Sequence, residues 1–120
     1  MKRDMELIRK MLIAIEDYPK GYAPDPLKID GYSDEEIGYH AYLLIDAGLA
    51  RGNETTEVGD LSPMETIFKL TWAGHEFCQA SREETRWKKA MKFVAEKGGS
   101  ITFTVLTELL ASFMKEAFGL

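Results

Sequence analysis

A chain of 120 residues, 45% hydrophobic and 29% charged, fits one soluble globular domain that buries a core without staples. Its net charge of −5 gathers in residues 1–60, where 13 acidic side chains face 7 basic ones; that counts against a dedicated nucleic-acid binder, whose affinity rests on a basic face. The single Cys78 makes no internal disulfide, no apolar run approaches the roughly 18 residues of a membrane span, and MKRDMELIRK lacks the apolar core of a secretory signal, so we expect a cytoplasmic protein with no membrane partner.

Residues 4–18 read as the first helix. Met5, Ile8, Leu12 and Ile15 recur at helical spacing, and Leu7, Met11, Ala14 and Tyr18 form a second stripe beside them, a face wide enough to sink into a core. Pro19 and Gly21 stop it, and KGYAPDP is an extended connection. LKI, at 27–29, is β-compatible and bounded by Pro26 and Gly31, which predicts a brief strand. Ser33 with Glu36 three residues on is a capping box, and Asp34 and Glu35 favour the positive end of a helix dipole. The helix that starts there points Ile37, His40, Ala41, Leu44 and Ile45 inward. Gly48 supplies the left-handed residue that ends it, and Leu49 packs back against that end.

LARG and TIFKL, on either side of the polar tract NETTEVGDLSP, predict a β-hairpin with a long, mobile tip. Thr71 then caps a helix whose apolar positions Trp72, Phe77 and Ala80 thin out into SREETRWKK. The helical pattern continues through Trp87, Met91, Phe93 and Val94 until KGG, at 97–99, breaks it. A last helix, about 102–118, sets Val105, Leu106, Leu109, Leu110, Phe113, Met114 and Ala117 in two adjacent stripes. There is no internal repeat and no low-complexity segment.

The order is mainly α with a small β-hairpin (α+β), and it reads as a winged helix-turn-helix with extra C-terminal helices. The reading rests on LLIDAGLARG, a helix that stops on a left-handed glycine and is turned directly into a hairpin. We expect one winged-helix-like domain over 1–120, its core at 1–81 and a C-terminal helical extension at 82–120. Three blocks, MKRDMELIRKMLIAIED, GYSDEEIGYHAYLLIDAGL and LTWAGHEFCQASREETRWKK, resemble in that order a family of short bacterial and phage-encoded proteins of winged-helix type and unknown function. The resemblance covers well over half of the chain. It implies the fold and a phage or mobile-element context, and it brings no catalytic residues; the segment from 98 onward lies outside it.

No chemistry assembles from the spacing. His75 and Cys78 stand three apart on one helix, which suits a metal, but a structural zinc wants four ligands and the chain holds two His and one Cys. We expect a boundary histidine and a thiol buried as a small hydrophobe, with no metal. His40, on an inward face, has the chemistry of a general base; burial at the core edge, holding a backbone carbonyl or the strand before it, is the stronger expectation. Cys78 lacks a third orienting group for nucleophilic work, and KGGS follows a helix and lacks the phosphate-loop ending. Capping accounts for the acidic cluster at 34–36. No catalytic or cofactor-binding residue is assigned, no small-molecule substrate is inferred, and an enzyme is not expected.

Two surfaces are candidates for partners. In SREETRWKKAMK, Arg82, Arg86, Lys88, Lys89 and Lys92 form the best basic patch; on one continuous helix Arg82, Arg86 and Lys89 share a side, with Trp87 nearby to stack on a base. We favour the plainer reading, a solvated face laced by Glu84–Lys88 and Glu83–Arg86 pairs. The hairpin sets Arg51 and Lys69 against Glu54, Glu57, Asp60 and Glu65, an acidic wing that phosphates would repel. The apolar last helix, through Leu109, Phe113, Met114 and Phe118, and the aromatic Tyr39 and Tyr42 make the second surface, suited to a homodimer or another protein. SDEEIGYHAYLLIDAGLARG holds the conflict. It has the shape of a recognition helix running into a wing, yet it carries Asp34, Glu35, Glu36 and Asp46 and no basic residue before Arg51. The reading is a non-catalytic winged-helix binding module of regulatory type. DNA is open as a partner, and a protein-interaction or dimerisation module without nucleic-acid binding is the alternative.

Overall fold

Asp4 starts the first helix, α1 (Met5–Asp17), in the computed structural model, which describes residues 1–120. Its carboxylate accepts the backbone N–H groups of Glu6 and Leu7 at 2.9 and 3.2 Å, two of the donors that a helix start leaves orphaned. The chain falls into two units, Met1–Cys78 and Gln79–Leu120. In the first, Leu7, Ile8, Met11, Leu12 and Ile15 of α1 are buried, as their two stripes require.

Residues 18–33 contain no helix or strand, so the brief strand expected at 27–29 is not formed. The Ala23 N–H donates to the Phe68 carbonyl at 2.6 Å, but Pro24 and Pro26 have no N–H to continue the pairing. Ser33 caps α2 (Asp34–Asp46) with the expected box: its hydroxyl accepts the Glu36 N–H at 3.1 Å, and its own N–H donates to the Glu36 carboxylate at 2.9 Å. Gly48, at φ 77°, ends the helix; the Leu49 N–H donates to Leu44 and its side chain is buried.

Strands β1 (Ala50–Glu54) and β2 (Glu65–Leu70) pair antiparallel, with Arg51 opposite Lys69 and Gly52 opposite Ile67, so Phe68 is the extra residue of a bulge. The tip is internally bonded. The Thr55 N–H donates to the Met64 carbonyl at 2.9 Å, the Met64 N–H to the Thr56 hydroxyl at 2.9 Å, and the Glu57 N–H to Asp60 at 2.7 Å. Thr71 caps α3 (Trp72–Arg82), accepting the Gly74 N–H at 3.1 Å. Trp72, one of the apolar positions of this helix, does not turn inward. It is 81% exposed and donates its indole N–H to Glu76 one turn on, while Gly74, Phe77 and Cys78 form the buried side of α3.

The second unit holds α4 (Glu84–Glu96) and α5 (Phe103–Ala117), packed on each other, with Trp87, Ala90 and Val94 of α4 and Leu106 and Leu110 of α5 buried. The helical pattern expected to run on through 82–84 is interrupted at Glu83. This residue is extended, and its carboxylate accepts the N–H groups of Thr85 and Arg86 at 3.1 and 2.6 Å, which starts a new helix. Thr102 caps α5 through the Val105 N–H. Five helices and one two-stranded antiparallel hairpin make the chain α+β, and no helix is long and apolar enough to cross a membrane.

Candidate functional site

The N-terminal end of α2 is occupied from two sides. Lys28 donates to Asp34 at 2.6 Å, and the Ser62 hydroxyl of the hairpin tip donates to Glu35 at 3.0 Å. Between the 24–28 connection, α2 and β2 lies a cleft of about 190 Å³, whose lining includes Leu27, Ile37, Gly38, Ala41, Met64 and Ile67, with Asp25, Lys28, Asp34 and Glu65 among its charged members. Burial raises the Glu65 carboxyl above the usual carboxylate range, and the charges of Glu54 and Asp46 raise it further. Ser62 and Glu35 are 27 residues apart and Lys28 reaches Asp34 from an irregular connection, so no helical or strand period announces these contacts.

His40 is 2% exposed, and both of its ring nitrogens are engaged. Nε2 lies 2.8 Å from the Asp4 backbone nitrogen and accepts its N–H; Nδ1, 2.8 Å from the Glu36 carbonyl, therefore carries the proton and donates. It holds a backbone carbonyl as expected, and it ties α2 to the start of α1 as well. Tyr39 and Tyr42 are half-buried, and Tyr39 stands edge-on to His40 at 5.8 Å. His75 is exposed with Nδ1 3.0 Å from Glu16, whereas Cys78 is fully buried. No three His, Cys, Asp or Glu side chains converge as metal ligands.

The basic residues are split by the break at Glu83. Arg82 ends α3 and the other four lie on α4, so Arg82, Arg86 and Lys89 do not share the side of one helix. Arg86 is half-buried, and its Nε is buried without a hydrogen-bond partner. Lys88 pairs with Glu84 at 3.7 Å; Lys89 pairs with Glu116 at 3.3 Å and lies 4.1 Å from the Phe113 ring centroid; Lys92 is exposed. Glu83 uses its carboxylate on backbone N–H groups, that of Arg86 first and that of Thr85 next, which holds it below the usual carboxylate range. Trp87 is buried, so it offers no open face for stacking.

On α5, Leu109, Phe113 and Met114 are half-buried, while Val105 is exposed and Phe118 and Leu120 more so, at 73% and 90%. Leu109, Phe113 and Met114 lie on α5 itself, Phe118 is its C-cap, and Leu120 follows it. Tyr39 and Tyr42 belong to α2, in the other unit.

Residues 2–100 match the model of the family described as hypothetical protein DUF2513. An uncharacterised protein of Haemophilus influenzae is similar at 25% identity over 119 residues, which span 97% of this chain and 98% of that protein. No solved structure matches the chain. With 99 of its 120 residues inside the match, the chain belongs to the DUF2513 family.

Proposed function

We propose that the protein is a non-catalytic binding module of winged-helix type, regulatory in role, which works through protein contact and meets a second copy of itself through α5. The winged-helix part is supported by one arrangement: α2 stops on Gly48, Leu49 turns into the core, and the chain enters the hairpin before Thr71 starts α3. The observation that carries the protein-contact part is the apolar exposure of α5 and the residues after it: Val105, Phe118 and Leu120 are exposed, and Leu109, Phe113 and Met114, which flank the buried Leu106 and Leu110, are half-buried. A terminal helix that leaves large apolar side chains in water is stabilised when a partner covers them. The α2 N-terminus, the end a groove-reading helix brings to the bases, is acidic and already engaged by Lys28 and Ser62.

Light scattering after gel filtration tests this directly. The mass should rise from 13.6 kDa toward twice that as concentration is raised, and Phe118→Glu with Leu120→Glu should return it to monomer with the circular dichroism spectrum unchanged. A strict monomer at millimolar concentration removes the self-association reading.

A second reading has α4 lying along nucleic-acid phosphates, and exposed Lys92, which has no ion pair, favours it. The acidic hairpin and α2 oppose it, so we expect no anisotropy change with mixed-sequence duplexes at low ionic strength. Binding there, with affinity falling by a log–log slope of about −0.9 per phosphate contacted, would reassign the protein to DNA.

A further inference from the structure

The open edge of β2 runs into the cleft beside α2. Because the Met64 carbonyl accepts the Thr55 N–H, it points toward the β1 side. Backbone groups alternate along an extended strand, so Thr66 also faces β1, and the N–H and C=O of Glu65 and Ile67 face away from it. Neither residue makes a hydrogen bond on that outer side. The connection begins to cover this edge with the Ala23–Phe68 bond, then loses its donors at Pro24 and Pro26 and moves off to line the far wall. What remains is a slot with paired-strand chemistry on one side and the apolar floor of Ile37, Gly38 and Ala41 below.

We propose that this slot takes an extended peptide segment of a partner protein as a third strand, with a small apolar side chain over Ile37 and Ala41 and a Lys or Arg beside Asp34 and Glu65. In such strand addition the main chain supplies affinity and alternate side chains supply selectivity. About 190 Å³ is below the roughly 300–1,000 Å³ of small-molecule sites and suits single side chains. The charge asks for a cation: Asp25, Asp34 and Glu65 line the cleft with Lys28 alone, which is already on Asp34. A basic side chain would relieve the repulsion that Glu54 and Asp46 exert on Glu65. A second copy is poorly suited as occupant, since its protruding hairpin tip carries Glu54, Glu57 and Asp60 and no basic residue. The slot rests on the protein-contact reading, but it lies wholly within the first unit, apart from α5.

Residue-resolved amide NMR on the full chain tests it. In the free protein the Thr66 amide should be protected, and those of Glu65 and Ile67 should exchange at least about tenfold faster. A capped hexapeptide alternating Val and Lys should slow exchange at Glu65 and Ile67 and shift the amides of Gly38 and Ala41. Methylating its edge-facing backbone nitrogens should abolish this, and an alternating Val–Glu peptide should bind at least about tenfold more weakly, because like charges then meet. Protection of Glu65 and Ile67 in the free protein overturns the proposal. So does silence toward the Val–Lys peptide at millimolar concentration, indifference to N-methylation, or equal binding of the acidic peptide. Because the readout is at β2 and α2, its failure is distinguishable from a failure of α5 to self-associate.

Discussion

Gly74→Ala should destabilise the protein by about 2–3 kcal/mol, the typical cost of overpacking a tight core contact, although the same change in an ordinary helix interior adds up to about 1 kcal/mol. Gly74 is the third residue of α3 and lies where that helix crosses the base of the hairpin. A Cβ built there falls inside contact distance of the Leu49 carbonyl oxygen and meets the Leu49 carbonyl carbon at 3.0 Å and Leu70 Cβ at 3.4 Å. The obstacle is backbone and cannot rotate aside. Leu49 is also pinned: its N–H donates to Leu44, its carbonyl accepts the Thr71 N–H at 3.1 Å, and its side chain is buried. Accommodation therefore requires α3 to lift from the hairpin, opening the contacts around Leu49 and Leu70. Gly21→Ala is the control, since nothing lies within 4 Å of a Cβ there, and it should be neutral or slightly stabilising. Urea unfolding followed by circular dichroism gives the ranking, and a Gly74→Ala chain as stable as the parent would refute the close-approach argument.

What could be read from the sequence follows from how local each cause is. The start and end of α2 are written within a few residues, in the Ser33–Glu36 box and Gly48, and both are realised as expected. Glu83 was hidden because glutamate is a good helix former; the break depends on its carboxylate finding the Thr85 and Arg86 N–H groups, which competes with the helical choice instead of following from it. Once that break exists, the shared side of Arg82, Arg86 and Lys89 is lost, so one missed cap redrew a candidate site. Trp72 is an apolar position of the α3 pattern, but Gly74, Phe77 and Cys78 set which side of the helix is buried and leave it outside. The Lys28–Asp34 and Ser62–Glu35 contacts and the cleft beside them depend on where two irregular segments land. No period in the chain encodes that. On α5 both apolar stripes were visible, but the choice of Leu106 and Leu110 as the covered pair is made by packing.

Of substitutions at the core edge, His40→Ala should be the most damaging, at about 3–4 kcal/mol. It removes a buried ring and leaves the half-buried Asp4 N–H without its acceptor; truncating a buried ring alone costs about 3 kcal/mol, and the lost hydrogen bond adds about 1 kcal/mol or less. The Glu36 carbonyl loses less, because it sits in the first turns of α2 and faces the helical N–H of the same residue four positions on. His40→Phe restores the volume but not the acceptor, so it should recover only part of the loss. His40→Gln offers an amide oxygen to Asp4 and should be the mildest of the three. The loss should appear first at the start of α1, as faster amide exchange at Glu6 and Leu7, because the Asp4 carboxylate that caps them is held in place through the same residue's N–H. Equal stability of His40→Phe and the parent would show that the ring only fills space. A proton-transfer role predicts the opposite pattern, in which stability is indifferent to the acceptor. The geometry speaks against that role, since a neutral imidazole with Nδ1–H donated and Nε2 engaged has no free lone pair to take a proton.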